Sequence, residues 1–277
     1  MKAEPALQPF GLAFTLRQWK ALFNIYIQDG LAYRAQGLIW VLTDTVTAII
    51  MPLVWLSAAK AQTIQGFAPR DFVVYYLGML LLQSFVTCHF MWDISVEIRE
   101  GQFSTQIIRP IGFFQFTLVR NFAWRIIRTM IFAPIILCLI AAYWGQIQGA
   151  HIYIGWEFWA AVLLGHLVSV CFATALAMLA LIVQEAQSIF ELYYVPLLFL
   201  SGQLFPVALL PVWAQKAALW TPFFYTVGVP TEILIGRITP AQALPVLGSQ
   251  VLWCVGSYGL FRLLTHIGMK HYTGVGM

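Results

Sequence analysis

The chain has 277 residues, 61% of them hydrophobic and 16% aromatic, while Asp, Glu, Lys and Arg together make up 9%. Its mean hydropathy of +0.80 lies far beyond that of soluble domains, and a core of this size could not hide so much apolar surface from water. The composition excludes a soluble globular enzyme and points to an integral membrane protein, and the net charge of +4 makes no case for nucleic-acid binding.

The N-terminal stretch has no apolar run and small-residue cleavage site of the kind a secretory signal carries, so the first true span is expected to act as an uncleaved signal anchor. Residues 10–35 are too interrupted by charge to cross a bilayer. Phe14, Leu16, Trp19, Leu22, Phe23, Tyr26 and Ile27 recur near helical spacing, with Arg17, Lys20, Asn24, Gln28 and Asp29 between them. That pattern predicts a helix in the headgroup layer, serving as an anchor or also gripping a partner or lining a lateral lipid portal.

Six apolar blocks follow: Leu38–Ala59, Phe72–Met91, Thr129–Trp144, Phe158–Val183, Ile189 to about Leu209, and Ala243–Leu264. Most approach the ~20 residues that cross a bilayer as a helix, and none alternates as a barrel strand would. The third block is short, and "FFQFTLVRNFAWRIIR" ahead of it is expected to extend the helix, its arginines reaching the headgroups. Pro196 and Pro206 interrupt the fifth block. The four cysteines, Cys88, Cys138, Cys171 and Cys254, lie inside these blocks and are expected to pack as small hydrophobes.

Within the first block Asp44 is an intramembrane carboxylate that should face protein or water. In the second, Gln83 and Thr87 stand one helical turn apart and either hydrogen-bond between helices or, with Asp44, line a substrate path. His166 in the fourth block reads as a hydrogen-bonded packing residue, and Ser169, Ala173 and Ala177 form a small-residue face for close helix approach.

Between the second and third blocks lies "EIREGQFSTQIIRP", Glu97 to Pro110, a concentration of charge in a chain that has little. From the residues alone it reads as a solvated loop or a helix facing a partner. Between the fifth and sixth, residues 202–240 carry Pro206, Pro211, Pro222, Pro230 and Pro240 yet remain apolar. No straight helix survives that spacing, and two short helices dipping into the outer leaflet would explain it.

Of the fifteen Lys and Arg, eleven fall on one side of such a six-span arrangement: Lys2, Arg17, Lys20, Arg34, Arg99, Arg109, Arg120, Arg125, Arg128, Arg262 and Lys270. Lys60, Arg70, Lys216 and Arg237 fall on the other. The positive-inside rule then puts both termini and the Glu97 segment in the cytoplasm. No nucleotide-binding loop, metalloprotease or nucleophile-elbow motif is present, so no catalytic or metal residue is assigned and any energy source lies on another chain. A secondary transporter or channel is the alternative, but Asp44 is nearly alone as a candidate coupling charge. A membrane-embedded enzyme would need clustered His, Asp or Glu at one depth.

The chain resembles the ABC-2 type transporter permeases, in the group described as ABC-2 family transporter proteins. The resemblance rests on "EIREGQFSTQIIRP", on "SGQLFPVALLP", on "PFFYTVGVPTEILIGR" and on the ending "HYTGVGM", and spans nearly the whole chain. Ser104 stands where many members carry an acid. The resemblance implies an all-α integral membrane protein with six transmembrane helices, an N-terminal interfacial helix (10–35), a cytoplasmic coupling helix (97–110) and a re-entrant outer segment (202–240) before the last span, all one domain of residues 1–277. It also implies a multi-pass subunit of the bacterial inner (plasma) membrane, exporting an amphipathic or lipid-like substrate. Two ATPase subunits would carry the ATP and Mg, with no cofactor in this chain, and a second permease, identical or homologous, would complete the complex in membrane lipid. In the coupling helix, Glu97, Arg99 and Glu100 would form a solvated, partner-facing start, Gly101 follows the charges, Phe103 and Ile107 would anchor in the ATPase, and Arg109 and Pro110 would close the motif. Gly202, Pro206, Pro211, Pro222, Tyr225 and Pro230 would form an outer gate.

Overall fold

The computed structural model describes residues 12–32, 34–59, 62–109, 111–183 and 186–272. Among them every regular element is helical, and Ile64 and Phe67 form one isolated bridge. α1 (Leu12–Ala32) lies along α6 (Phe113–Ala142), with Phe23 against Phe122 and Tyr26 edge-on to Phe116. α2 (Arg34–Ala59) packs on α3 (Pro69–Val86) and α6. Asp71 Oδ2 accepts the Ala68 N–H at 2.8 Å and fixes the start of α3, where Pro69 supplies the pre-set backbone angle.

α3 stops at Val86, and after four residues without helical structure the chain resumes as α4 (Met91–Arg99). A turn through Gly101, whose φ is +76°, separates α4 from the short α5 (Phe103–Ile107). The charged segment is therefore a helix end, a turn and a second helix, not one continuous helix; the left-handed conformation at Gly101 ends the first as a glycine after a helix commonly does. Pro110 lies outside the described residues, as do residues 273–277 of the tail.

α6 runs 30 residues, so the third apolar block and the basic stretch before it form one helix. After α7 (Trp144–Ile147), α8 (Trp156–Ala177) continues as a tight turn to Leu181 and makes its most extensive packing against α12 (Pro240–Gly268). α9 (Ala186–Leu200) ends nine residues before the expected Leu209, because Gly202, at φ +87°, turns the chain aside. The proline-rich stretch then folds as α10 (Val212–Leu219), a wide turn over Phe224–Gly228, and α11 (Val229–Leu234).

Among the described residues, four stretches are long and apolar enough to cross a membrane: Pro69–Arg99, Phe113–Ala142, Trp156–Leu181 and Pro240–Gly268. Asp44–Ala59 and Ala186–Leu200 are shorter apolar helices. The bundle has two distinct ends. At one, α10, α11 and the loops before α3 and α8 surround the largest buried cluster, which includes Phe67, Phe72, Tyr75, Phe158 and Ile233. At the other, α4, α5 and the end of α12 enclose a second cluster around Met91, Ile98, Phe103, Met178 and Phe261.

Candidate functional site

Three regions carry the polar chemistry, and the first is the Glu97 end. Glu97 accepts hydrogen bonds at 2.6 Å from Arg120 of α6 and at 2.6 Å from Gln106 of α5. The expected solvated, partner-facing Glu97 is thus an internal brace, its carboxylate drawn inward by two donors that hold α5 against α6. Phe103 is corrected in the same way. It is 2% exposed, edge-on to Phe113 and to Tyr272, so it anchors the segment in its own chain. Ser104 Oγ and the Tyr272 hydroxyl add a 2.8 Å hydrogen bond to the same clasp.

The outward face of this segment consists of Arg99, Glu100, Gln102, Thr105, Ile107, Ile108 and Arg109. Ile108 is 82% exposed and Ile107 44%. The Arg109 guanidinium lies 4.8 Å over the Phe116 ring, so its stem follows the protein while its charge stays outside.

The second region is the break between α3 and α4. A helix that stops inside an apolar body leaves carbonyls that something must satisfy. Arg125 Nη1 donates to Ser84 O at 3.3 Å, and His166 Nδ1 donates to Val86 O at 3.3 Å. The Cys88 N–H goes to Ser169 Oγ at 2.8 Å. With Nδ1 carrying its proton, His166 Nε2 accepts from Asn121 Nδ2 at 3.4 Å, and Asn121 Oδ1 accepts from Arg125 Nε at 3.3 Å. Positive groups at a helix C-terminus also complement its dipole.

One turn along α6, Arg128 forms an ion pair with Asp44 of α2. The sequence led to arginines reaching the headgroups, but Arg125 is 2% and Arg128 8% exposed. Their inward turn has a physical cause: Asn121, Arg125 and Arg128 share one helical face, and that face meets Asp44 and the freed carbonyls of α3. Of the three suggested path residues, Asp44 and Thr87 border this cluster, whereas Gln83 is half-buried and contributes its carbonyl to the Thr87 N–H at 3.2 Å. No expectation placed Asn121, Arg125 and Arg128 in a site, Arg125 and Arg128 being read as headgroup arginines, although their i, i+4, i+7 spacing is visible in the sequence.

The third region is the proline-rich end. Tyr75 and Tyr76 of α3 donate to the carbonyls of Gly202 at 2.8 Å and Leu204 at 2.9 Å, and Gln250 of α12 donates to Tyr225 O at 2.8 Å and Ala161 O at 3.1 Å. A Cβ on Gly202 would stand 2.4 Å from the Tyr75 hydroxyl, so this glycine makes room for that side chain, and one on Gly165 would stand 2.3 Å from Thr226 O, so that glycine permits direct backbone approach. Pro206, Pro222, Tyr225 and Pro230 are buried and Pro211 is exposed at the start of α10.

Glu232 of α11, outside the four long apolar helices, is 6% exposed and accepts from Arg237 Nε at 3.0 Å. Burial pushes its carboxyl up to about 7 against the opposing pull of Arg237. Beside it, an open cleft of about 570 Å³ is lined by Arg70, Asp71, His151 and Arg237. Trp144, Trp156, Trp159, Trp213 and Trp220 project around this end, each at least 56% exposed, as tryptophans do at a membrane–water boundary.

Among the described residues no group of three or more His, Cys, Asp or Glu could hold a metal ion. No curated protein matches the chain. The family described as ABC-2 family transporter protein matches residues 42–276, which takes in all three regions. The chain belongs to the ABC-2 family transporter proteins, membrane subunits of ABC transporters that are not themselves catalytic.

Proposed function

We propose that this chain is the permease of an ATP-driven exporter for an amphipathic or lipid-like molecule, working as a pair of identical or homologous permeases with two ATPase subunits. Its six spans would be α2, the α3–α4 pair, α6, α8, α9 and α12, with the Glu97 end in the cytoplasm and the proline-rich end outside, re-entrant in the outer leaflet and serving as the gate. In a bacterial inner membrane both termini would then be cytoplasmic. Family membership supports the transport role, and the ring of exposed tryptophans supports one end as a boundary with water.

The observation that carries the coupling role is the outward pair Ile107 and Ile108, flanked by Arg99, Glu100 and Arg109, on a segment braced from within by Glu97. Two exposed isoleucines on a stiff, charged tip suit a groove in a water-soluble partner, since docking buries apolar surface without first ordering a loop. Closure of the ATPase pair would push α5, and the Glu97–Arg120 and Phe103–Tyr272 contacts would pass the displacement to α6 and to the end of α12. A secondary transporter is disfavoured because Asp44, the candidate coupling charge, is engaged by Arg128.

The test is Ile108→Asp. Because Ile108 touches little of its own chain, the variant should fold and insert normally while co-purifying about tenfold less of the ATPase subunit, a loss of about 1.4 kcal/mol. Undiminished co-purification would remove the docking face from this reading.

A further inference from the structure

The α3–α4 break has more polar capacity than its own backbone consumes. Arg125, His166 and Ser169 satisfy the carbonyls and the N–H that the interruption frees. Left over, buried and without partners, are Thr87 Oγ1, His89 Nδ1 and Arg128 Nε. Thr87 is 2% and Arg128 8% exposed, so water does not reach these atoms from outside. α4 begins at Met91, and the positive end of its dipole faces the same four-residue gap. Among the described residues the charged side chains here are Arg125, Arg128 and the half-buried Asp44, two cations against one anion, and Arg125 has no described carboxylate within salt-bridge distance.

Depth makes the imbalance consequential. Asp44 is fifteen residues from the end of α2 at Ala59 and Arg128 fourteen from the end of α6 at Ala142, both ~22 Å along their helices at 1.5 Å per residue. From Pro69 the break is ~27 Å down α3. These groups therefore share one level within the apolar body, where an uncompensated charge is costly. To one side the gap is walled by His89, Trp92 and Tyr194, whose ring centroids are 5.8 to 6.3 Å apart. Tyr194 belongs to α9, which exposes Leu192 and Val195, and α2 exposes Val46 beside Asp44. Glu191, the other carboxylate near Tyr194 among the described residues, is exposed on α9. Proline-rich Ser201 and Gln203 also hold unpartnered buried atoms, but no cation lies among them.

We propose that the α3–α4 break binds a singly charged oxyanion carried on an acyl chain, with Arg128 Nε, the Thr87 hydroxyl and the His89 ring as its donors and the exposed apolar faces of α2 and α9 as the track for the chain. One negative charge balances the cluster, and three donors at the start of a half-helix suit a carboxylate or phosphodiester. This deepens the exporter reading and rests on it for the identity of the cargo, whereas the site itself can be measured without ATP or partner.

The experiment uses the full chain in nanodiscs of phosphatidylcholine with a minor fraction of phosphatidylglycerol, the retained lipids being counted by native mass spectrometry. The wild type should retain phosphatidylglycerol about tenfold over its share of the bilayer. Thr87→Val, which removes one hydroxyl at constant shape, should lower that preference about threefold. Asp44→Asn combined with Arg128→Gln, which neutralises both partners, should abolish it. Displacement by oleate but not by inorganic phosphate identifies an acyl-borne anion, while equal displacement by phosphate would overturn the acyl requirement. Absence of any preference in the wild type, or an unchanged preference in Thr87→Val, overturns the site and leaves its orphaned groups to buried water. A wild type that shows no preference while Ile108-dependent ATPase docking is intact refutes the site alone, and a wild type that keeps the preference but docks no ATPase refutes the exporter reading alone.

Discussion

The two ends of the molecule solve opposite problems with the same helices. At the proline-rich end, backbone interrupted by five prolines is sealed mostly by neutral donors, Tyr75, Tyr76, Gln215 and Gln250, and by glycines that let main chain touch main chain, with the Glu232–Arg237 pair beside them. At the Glu97 end the interior is stitched by charge, Glu97 to Arg120 and Gln106, while two isoleucines are left outside. Backbone closed with neutral hydrogen bonds can sit in lipid, where an exposed charge would be costly. An end braced by an inward carboxylate, with an apolar knob set among Arg99, Glu100 and Arg109 on its outer face, has the form of a surface to be grasped.

Breaking this contrast calls first for Phe103→Ala. Because Phe103 is buried against Phe113 and Tyr272, the loss should appear as about 3 to 4 kcal/mol of stability, read from thermal unfolding. An unfolding midpoint equal to wild type, with weakened ATPase association, would return Phe103 to the partner. Next in size is Gly165→Ala, which forces a methyl against the Thr226 carbonyl of the sealed end and should cost roughly 2 kcal/mol. Gly248→Ala, with no atom within 4 Å of its added carbon, serves as its control and should cost nothing.

The smallest effect concerns Glu232. Its carboxyl is raised above the unfolded value, so folding favours the protonated form. That contribution is full below about 4.5 and is lost as pH rises through about 7. The unfolding midpoint should therefore be higher at pH 5.5 than at pH 8, by an amount that Glu232→Gln reduces. An identical pH profile in the variant would show that Arg237 holds the carboxylate fully ionised.

Much of this architecture was legible in the chain. Long apolar runs specify helices through composition alone, so the blocks that became α3, α6, α8 and α12 could be located to within a few residues. The concentration of charge at Glu97 was equally plain. Which way a side chain turns was not. Arg125 and Arg128 read as headgroup arginines because nothing near them in sequence reveals that α3 stops at Val86 and needs their donors. Phe103 read as an outward anchor because its true partner, Tyr272, lies at the far end of the chain. The end of α9 was placed late for a related reason: Leu204 to Leu209 is as apolar as a span, and the turn depends on one positive φ at Gly202.

The direct test of which end meets the ATPase is a pair of single-cysteine variants, Ile108→Cys and Trp220→Cys, crosslinked in the assembled complex with a short thiol reagent. Ile108→Cys is expected to form a product with the ATPase subunit whose yield changes on adding a non-hydrolysable nucleotide, and Trp220→Cys to form none. A crosslink from Trp220→Cys with none from Ile108→Cys would contradict the assignment of the two ends and, with it, the coupling role given to the Glu97 segment.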